Sequence, residues 1–206
     1  AGPGDGRLMV QHVSRLTPGV TFSGGLGFTI PIGKTEHDPY TLGAESKEHQ
    51  HFQFGTGIFM PTAQFSLLLR KDRFGTQIWG STQMAPYSNG KGFKPGMSGS
   101  WGVAPQIKIH PRVDLFLPIE GIHMSKETWN GVAAPSSGKH TLRAGIMVGI
   151  TVKRGLWLYT QASVPFWQQS LSNNTDDQIL EPFLGTMGIS WAPDKRLWGN
   201  VRDTSN

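Results

Sequence analysis

The chain has 206 residues, with 27 Gly, 14 Pro, no Cys and a formal net charge of +5. That length suits one domain with a sizeable core. The missing cysteines exclude disulfides, thiolate zinc sites, iron–sulfur clusters and c-type haem attachment, and no apolar run is long enough for a helical membrane span.

Basic residues are scattered, and the C-terminal stretch from Asp194 to Asp203 is mixed in sign. With no basic run or motif, no nucleic-acid partner is expected. Ala1-Gly2-Pro3-Gly4-Asp5 has neither the basic start nor the apolar centre of a signal peptide. This leaves a cytosolic chain, a processed one, or a piece of something longer.

Period-two alternation dominates the chain, beginning weakly at 6–13. In 20–32 the apolar residues Val20, Phe22, Leu26, Phe28, Ile30 and Ile32 oppose Thr21, Ser23, Gly25, Gly27 and Thr29. Weaker strands follow near 58–70 and 74–86. In 101–109 Trp101, Val103, Pro105, Ile107 and Ile109 oppose Ala104, Gln106 and Lys108. In 113–123 Val113, Leu115, Leu117 and Ile119 oppose Asp114, Phe116 and Glu120.

The strongest case is 141–152. Its even positions run Leu142, Ala144, Ile146, Val148, Ile150, Val152, and its odd positions Thr141, Arg143, Gly145, Met147, Gly149, Thr151. A helix would scatter these around its circumference, whereas a strand collects each set on one face. In 156–166 Leu156, Leu158, Ala162, Val164 and Phe166 oppose Gln161 and Ser163, with Trp157 and Tyr159 on the polar side. A weaker strand falls at 183–191. The sum is about nine strands of membrane-crossing length.

The connections alternate. Ser14–Pro18, Lys71–Arg73, His110–Arg112 and Lys153–Gly155 are short, whereas Lys34–His51, Ser88–Gly96, Ser125–Gly138 and Gln168–Gln178 are long. Outer-membrane barrels have this rhythm of short periplasmic turns and long external loops. The predicted fold is therefore all-β, an antiparallel up-and-down transmembrane β-barrel. It occupies 1–193, with 194–206 as a tail, and the expected setting is the bacterial outer membrane. The first short turn puts the chain's start on the outer rim. The expectation is that these strands are part of a barrel of about twelve, because membrane barrels leave no open edge.

Several segments carry a family resemblance: Gly2-Pro3-Gly4-Asp5, Pro31-Ile32-Gly33, Glu48-His49-Gln50-His51-Phe52-Gln53-Phe54-Gly55-Thr56-Gly57, and Val164-Pro165-Phe166-Trp167-Gln168. In that order, they resemble the outer-membrane "transporter" proteins grouped with the MetA-like protein of the phenol meta-degradation pathway. In that family a Gly-x-Gly-Asp opens a strand, a Pro-x-Gly precedes a long loop, a Gln-x-Gly-x-Gly precedes a further strand, and a late strand ends in Val-Pro, an aromatic and Gln. The resemblance spans most of 2–192 and implies a barrel passing small, often hydrophobic compounds. Two features depart from the pattern. The family's Gly-x-Gly-Asp strand follows earlier strands that this chain lacks, and Trp191 is followed by further residues rather than ending the chain.

Alternation assigns Thr21, Gln64, Ser66, Arg70, Gln77, Gln83, Gln106, Lys108, Asp114, Glu120, Arg143 and Gln161 to the lumen. There they would line a water-filled pore or knit a salt-bridged plug. The Trp residues, with Tyr159, fall mostly near strand ends, as aromatic girdles do; Trp79 and Trp157 have the parity of the polar face. His49 and His51, two apart, share one face of an extended segment and with His37 and Glu36 or Asp38 could ligate a divalent ion. A polar segment bonding neighbouring carbonyls is the plainer alternative.

No nucleophile motif is present, so no enzyme and no cofactor are expected. His123 with Glu120 or Asp114 is the one pairing of catalytic type. The expected function is an outer-membrane channel or transporter for small, hydrophobic or aromatic solutes, with the lipid bilayer and the solute as partners. The alternative is a structural barrel that houses or anchors a periplasmic or redox protein.

Overall fold

The computed structural model describes residues 4–47, 54–153, 155–172 and 182–191. The elements are β1 (Gly6–Thr17), β2 (Val20–Ile30), α1 (Pro39–Ala44), β3 (Pro61–Lys71), β4 (Phe74–Gln83), β5 (Phe93–Lys94), β6 (Ser98–His110), β7 (Val113–Phe116), β8 (Ile119–Met124), β9 (Thr128–Trp129), β10 (Val132–Ala133), β11 (Lys139–Lys153), β12 (Leu156–Ser170) and β13 (Leu184–Trp191). The main sheet runs β1-β2-β3-β4-β6-β7-β11-β12-β13, with β8 also lying between β6 and β11. Every pairing is antiparallel and links consecutive walls, so the fold is an up-and-down meander.

Counting β7 and β8 as one wall, nine strands cross the sheet among the described residues, and each lies where the alternation placed it. The predicted strand at 113–123 is interrupted. Pro118 has no N–H to offer the ladder, and Leu117 and Pro118 separate β7 from β8. Two neighbouring walls bridge the gap, for Leu117 donates to the Pro105 carbonyl at 3.0 Å and Gly145 donates to that of Pro118 at 2.9 Å. Strand β1 runs on to Thr17, which shortens the first turn to Pro18-Gly19. Gly19 holds φ +85°, and an added Cβ would overlap the Arg70 carbonyl.

The two faces of the sheet differ sharply. Val10, Leu26, Met187 and Ile189 on one face are 72–85% exposed. On the other, Ala104, Gln106, Thr141 and Ser163 are 2–5% exposed. Among the described residues no second layer packs on the sheet, since their one helix spans six residues. The polar face is buried because the sheet curls on itself, turning that face inward.

Aromatic rings are seated on glycines across this curved wall. Trp79 faces Gly102, and Trp101 faces Gly121, directly opposite in register. An added Cβ at either glycine would overlap the indole. Cross-strand neighbours lie close enough for such a ring to cover the bare backbone.

The register places the connections after Ile30, Gln83, Met124 and Ser170 on one rim, and the turns at Pro18, Asp72, Pro111 and Gly155 on the other. Over the first rim sits a small cap. Strands β5, β9 and β10 form a separate sheet. Asp38 caps α1 by accepting from the Tyr40 N–H at 3.0 Å and the Thr41 hydroxyl at 2.7 Å. Phe93, Trp129 and Ala134 are buried together with Tyr40 packed against them, the Phe93 and Trp129 rings 4.7 Å apart. Trp129 therefore belongs to this cap rather than to a girdle. Trp101 and Trp167 face outward near the same rim, and Trp191 faces outward near the other. Among the described residues β1 pairs only with β2 and β13 only with β12.

Candidate functional site

The inner face is the candidate site, and register decides what stands on it. One row joins Ser23, Ser66, Trp79, Gly102, Glu120 and Arg143. A second joins Arg70, Gly75, Gln106, Phe116, Met147 and Gln161. All twelve residues assigned to the lumen from the alternation have this inward parity.

Two polar clusters form there. Toward the loop-bearing rim, the Arg143 Nε donates to Glu120 Oε2 at 2.8 Å and its Nη2 lies 2.7 Å from the same oxygen. Toward the other rim, Gln106 Nε2 donates to Asp114 Oδ1 at 2.7 Å, and Arg70 reaches that oxygen at 4.0 Å. Gln77 donates to the Ser66 hydroxyl at 3.1 Å, and the Ser81 and Ser100 hydroxyls share a 2.9 Å bond. A cavity of about 310 Å³ opens beside Arg7, Thr62, Gln83, Ser98, Ser100 and Glu120.

Aromatic rings share this polar face. Trp157 stacks on Tyr159 at 5.1 Å, Phe116 meets Trp157 edge-on at 6.4 Å, and Trp79 stands in the row of Glu120 and Arg143. Thus the inward face offers hydrogen-bonding amides, paired charges and π surfaces together. A hollow of about 740 Å³ lies mainly on the outward face, among Val10, Phe22, Leu26, Phe65 and Trp101, where Gly24 and Gly80 lack side chains.

At the rim, Asp5 gathers segments far apart in sequence. Its Oδ1 accepts from the Gly33 N–H at 2.9 Å, and its Oδ2 accepts from the Thr56 N–H at 2.7 Å and the Thr56 hydroxyl at 2.6 Å. Gly55 also donates to the Lys34 carbonyl at 2.9 Å. The backbones are so close that a Cβ on Gly33 would stand 2.6 Å from the Gly55 Cα. Three of the glycine motifs noted in the sequence therefore meet at one carboxylate. Above them Lys34 Nζ lies 2.8 Å from Glu36 and that bond lowers the Glu36 pKa, whereas burial raises the pKa of Glu127 in the cap.

Some expected groupings are not brought together. His37 is exposed, while His49 and His51 lie outside the described residues. His123 shares the outward face with Ile119, whereas Glu120 and Asp114 point inward, so that pairing is separated by the sheet. Its ring instead meets His140. Nothing in the sequence signalled that contact, because it depends on how loop 125–138 sets the register of β8 against β11. Arg7 was overlooked on the inner wall, although the alternation of 6–13 contained it.

The fold is that of an outer-membrane β-barrel, as comparison with solved structures bears out. The chain is similar to an outer membrane channel from Pseudomonas putida F1, with a TM-score of 0.66 at 11% identity over 92% of this chain and 65% of that one. This chain thus spans less than two thirds of that channel's length. No family model matches the chain, and a search by sequence gave no match.

Proposed function

We propose that the protein is a channel of the bacterial outer membrane that passes small solutes, hydrophobic and aromatic compounds among them, as the resemblance to the MetA-like transporter family implies. The observation that carries this reading is the inner face. Amides and paired charges solvate a path, and Trp79, Phe116, Trp157 and Tyr159 supply apolar surface along it.

The test is conductance of the purified protein in a planar bilayer. The expected result is an open pore without any added protein, with conductance rising on the order of twofold in Trp79→Ala/Trp157→Ala as the lumen widens. A barrel that does not conduct, whose interior is filled by a co-purifying redox protein, would support the housing role instead.

Orientation is checked in whole cells with an impermeant maleimide. Cysteine at Glu45 or Asn130, both exposed beyond the loop-bearing rim, should label, and cysteine at Asp72 in an opposite turn should not. Labelling of Asp72→Cys alone would invert the topology.

A further inference from the structure

His123 of β8 and His140 of β11 stand directly opposite each other on the outward face, close to the loop-bearing rim. Both are half-buried. Their Nδ1 atoms are 3.1 Å apart, and the ring centroids are 4.6 Å apart with the planes at 32°. A straight N–H···N bond of that length would hold the centroids about 5.4 Å apart. The observed separation is well short of that, so the two nitrogens do not both point along the line between them, and the hydrogen bond they make is bent at one ring or at both.

Another arrangement fits both distances. Two imidazole nitrogens bound to one ion at about 2.05 Å, with an angle of about 98° at the metal, are about 3.1 Å apart. Their centroids then lie about 4.8 Å apart. We propose that His123 and His140 form a two-imidazole site for a borderline divalent transition ion such as Zn²⁺, Cu²⁺ or Ni²⁺, clipping β8 to β11 at the base of the connection 125–138.

The surroundings leave room for the remaining ligands. Gly99, the partner of His123 in β6, has no side chain, and an added Cβ there would meet only the Ser81 carbonyl, at 3.6 Å. Gln169, opposite His140 in β12, is exposed. The Trp167 ring lies 6.3 Å from that of His140. Among the described residues no three His, Asp or Glu side chains converge, so water completes the coordination. Imidazole pairs suit these ions, whereas Mg²⁺ and Ca²⁺ prefer oxygen.

The experiment titrates Cu²⁺ alone into the untagged protein in detergent and reads its electron paramagnetic resonance spectrum. The expected result is one site with two-nitrogen hyperfine structure. It should weaken about tenfold or more in His123→Gln and in His140→Gln, and persist in a His37→Gln/His49→Gln/His51→Gln variant. Zn²⁺ should raise the Tm of the unmodified protein but not that of either single variant. Loss of the site in the triple variant, with both single variants unaffected, would place the ion in the loop and overturn the proposal. Absence of a two-nitrogen signal from the unmodified protein would overturn it whether or not any variant assembles.

Discussion

Ile146→Arg should destabilise the folded barrel by about 2–4 kcal/mol, the cost of a cation near the midplane of a bilayer. Ile146 lies midway along β11, the fifteen-residue strand Lys139–Lys153, and is 56% exposed on the outward face. Its neighbours on that face are Ala144 and Val148, and across β12 it meets Ala162, so no acidic or amide side chain in the row can take the charge. Met147, one position on, points inward opposite Phe116 and Gln161. Met147→Gln should be far milder, because an amide there joins a face already lined with amides. Urea titration of both variants folded into lipid vesicles measures the difference. Equal losses would mean that both faces of β11 are buried in protein, and the membrane reading would lose its strongest physical support.

Asp5→Ala should cost about 2–4 kcal/mol, since hydrogen bonds to an ionised group contribute about 1.5–3 kcal/mol each and do not add fully. The loss has a structural consequence too. Asp5 precedes β1, yet its carboxylate holds Gly33 after β2 and Thr56 before β3. Without it the connection from 31 to 60 keeps the Gly55-to-Lys34 backbone bond, and Asn89 still donates to the Thr56 carbonyl. Limited proteolysis within 34–47 should therefore accelerate well before the barrel unfolds in urea. Asp5→Asn, which retains one acceptor oxygen, should fall between. Cleavage in Asp5→Ala at the wild-type rate would show that the loop is anchored elsewhere.

Much of this architecture was legible because its cause is local. Successive side chains of a strand point to opposite faces, so one-dimensional alternation in 141–152 already assigned Arg143 inward and Ile146 outward. Turn chemistry added the order of long and short connections, and with it the division into two rims. The interruption at Pro118 was written in the sequence as well, but the apolar run Val113, Leu115, Leu117, Ile119 masked it. Alternation reads side chains and is blind to a missing N–H.

Other features were out of reach of any local rule. The cap sheet of β5, β9 and β10 rests on two-residue strands whose pairing joins separate loops. The motif around Asp5 was visible as glycines and a carboxylate. That Gly33 and Gly55 had to be bare for their backbones to touch emerged only when β1, β2 and β3 were aligned. The Arg143–Glu120 pair and the His123–His140 pair are separated by 23 and 17 positions.

The sequence by itself determined which face of each strand meets lipid and which turns inward, because that choice depends on a side-chain period of two and on the transfer energy of apolar groups. Only the tertiary structure decided which inward groups meet. A slip of two residues between β8 and β11 would leave every face as polar or apolar as before, while separating Arg143 from Glu120 and His140 from His123. Face is a property of the strand alone, and partnership is a property of register, set by turns, loops and the Asp5 clamp acting across the sheet.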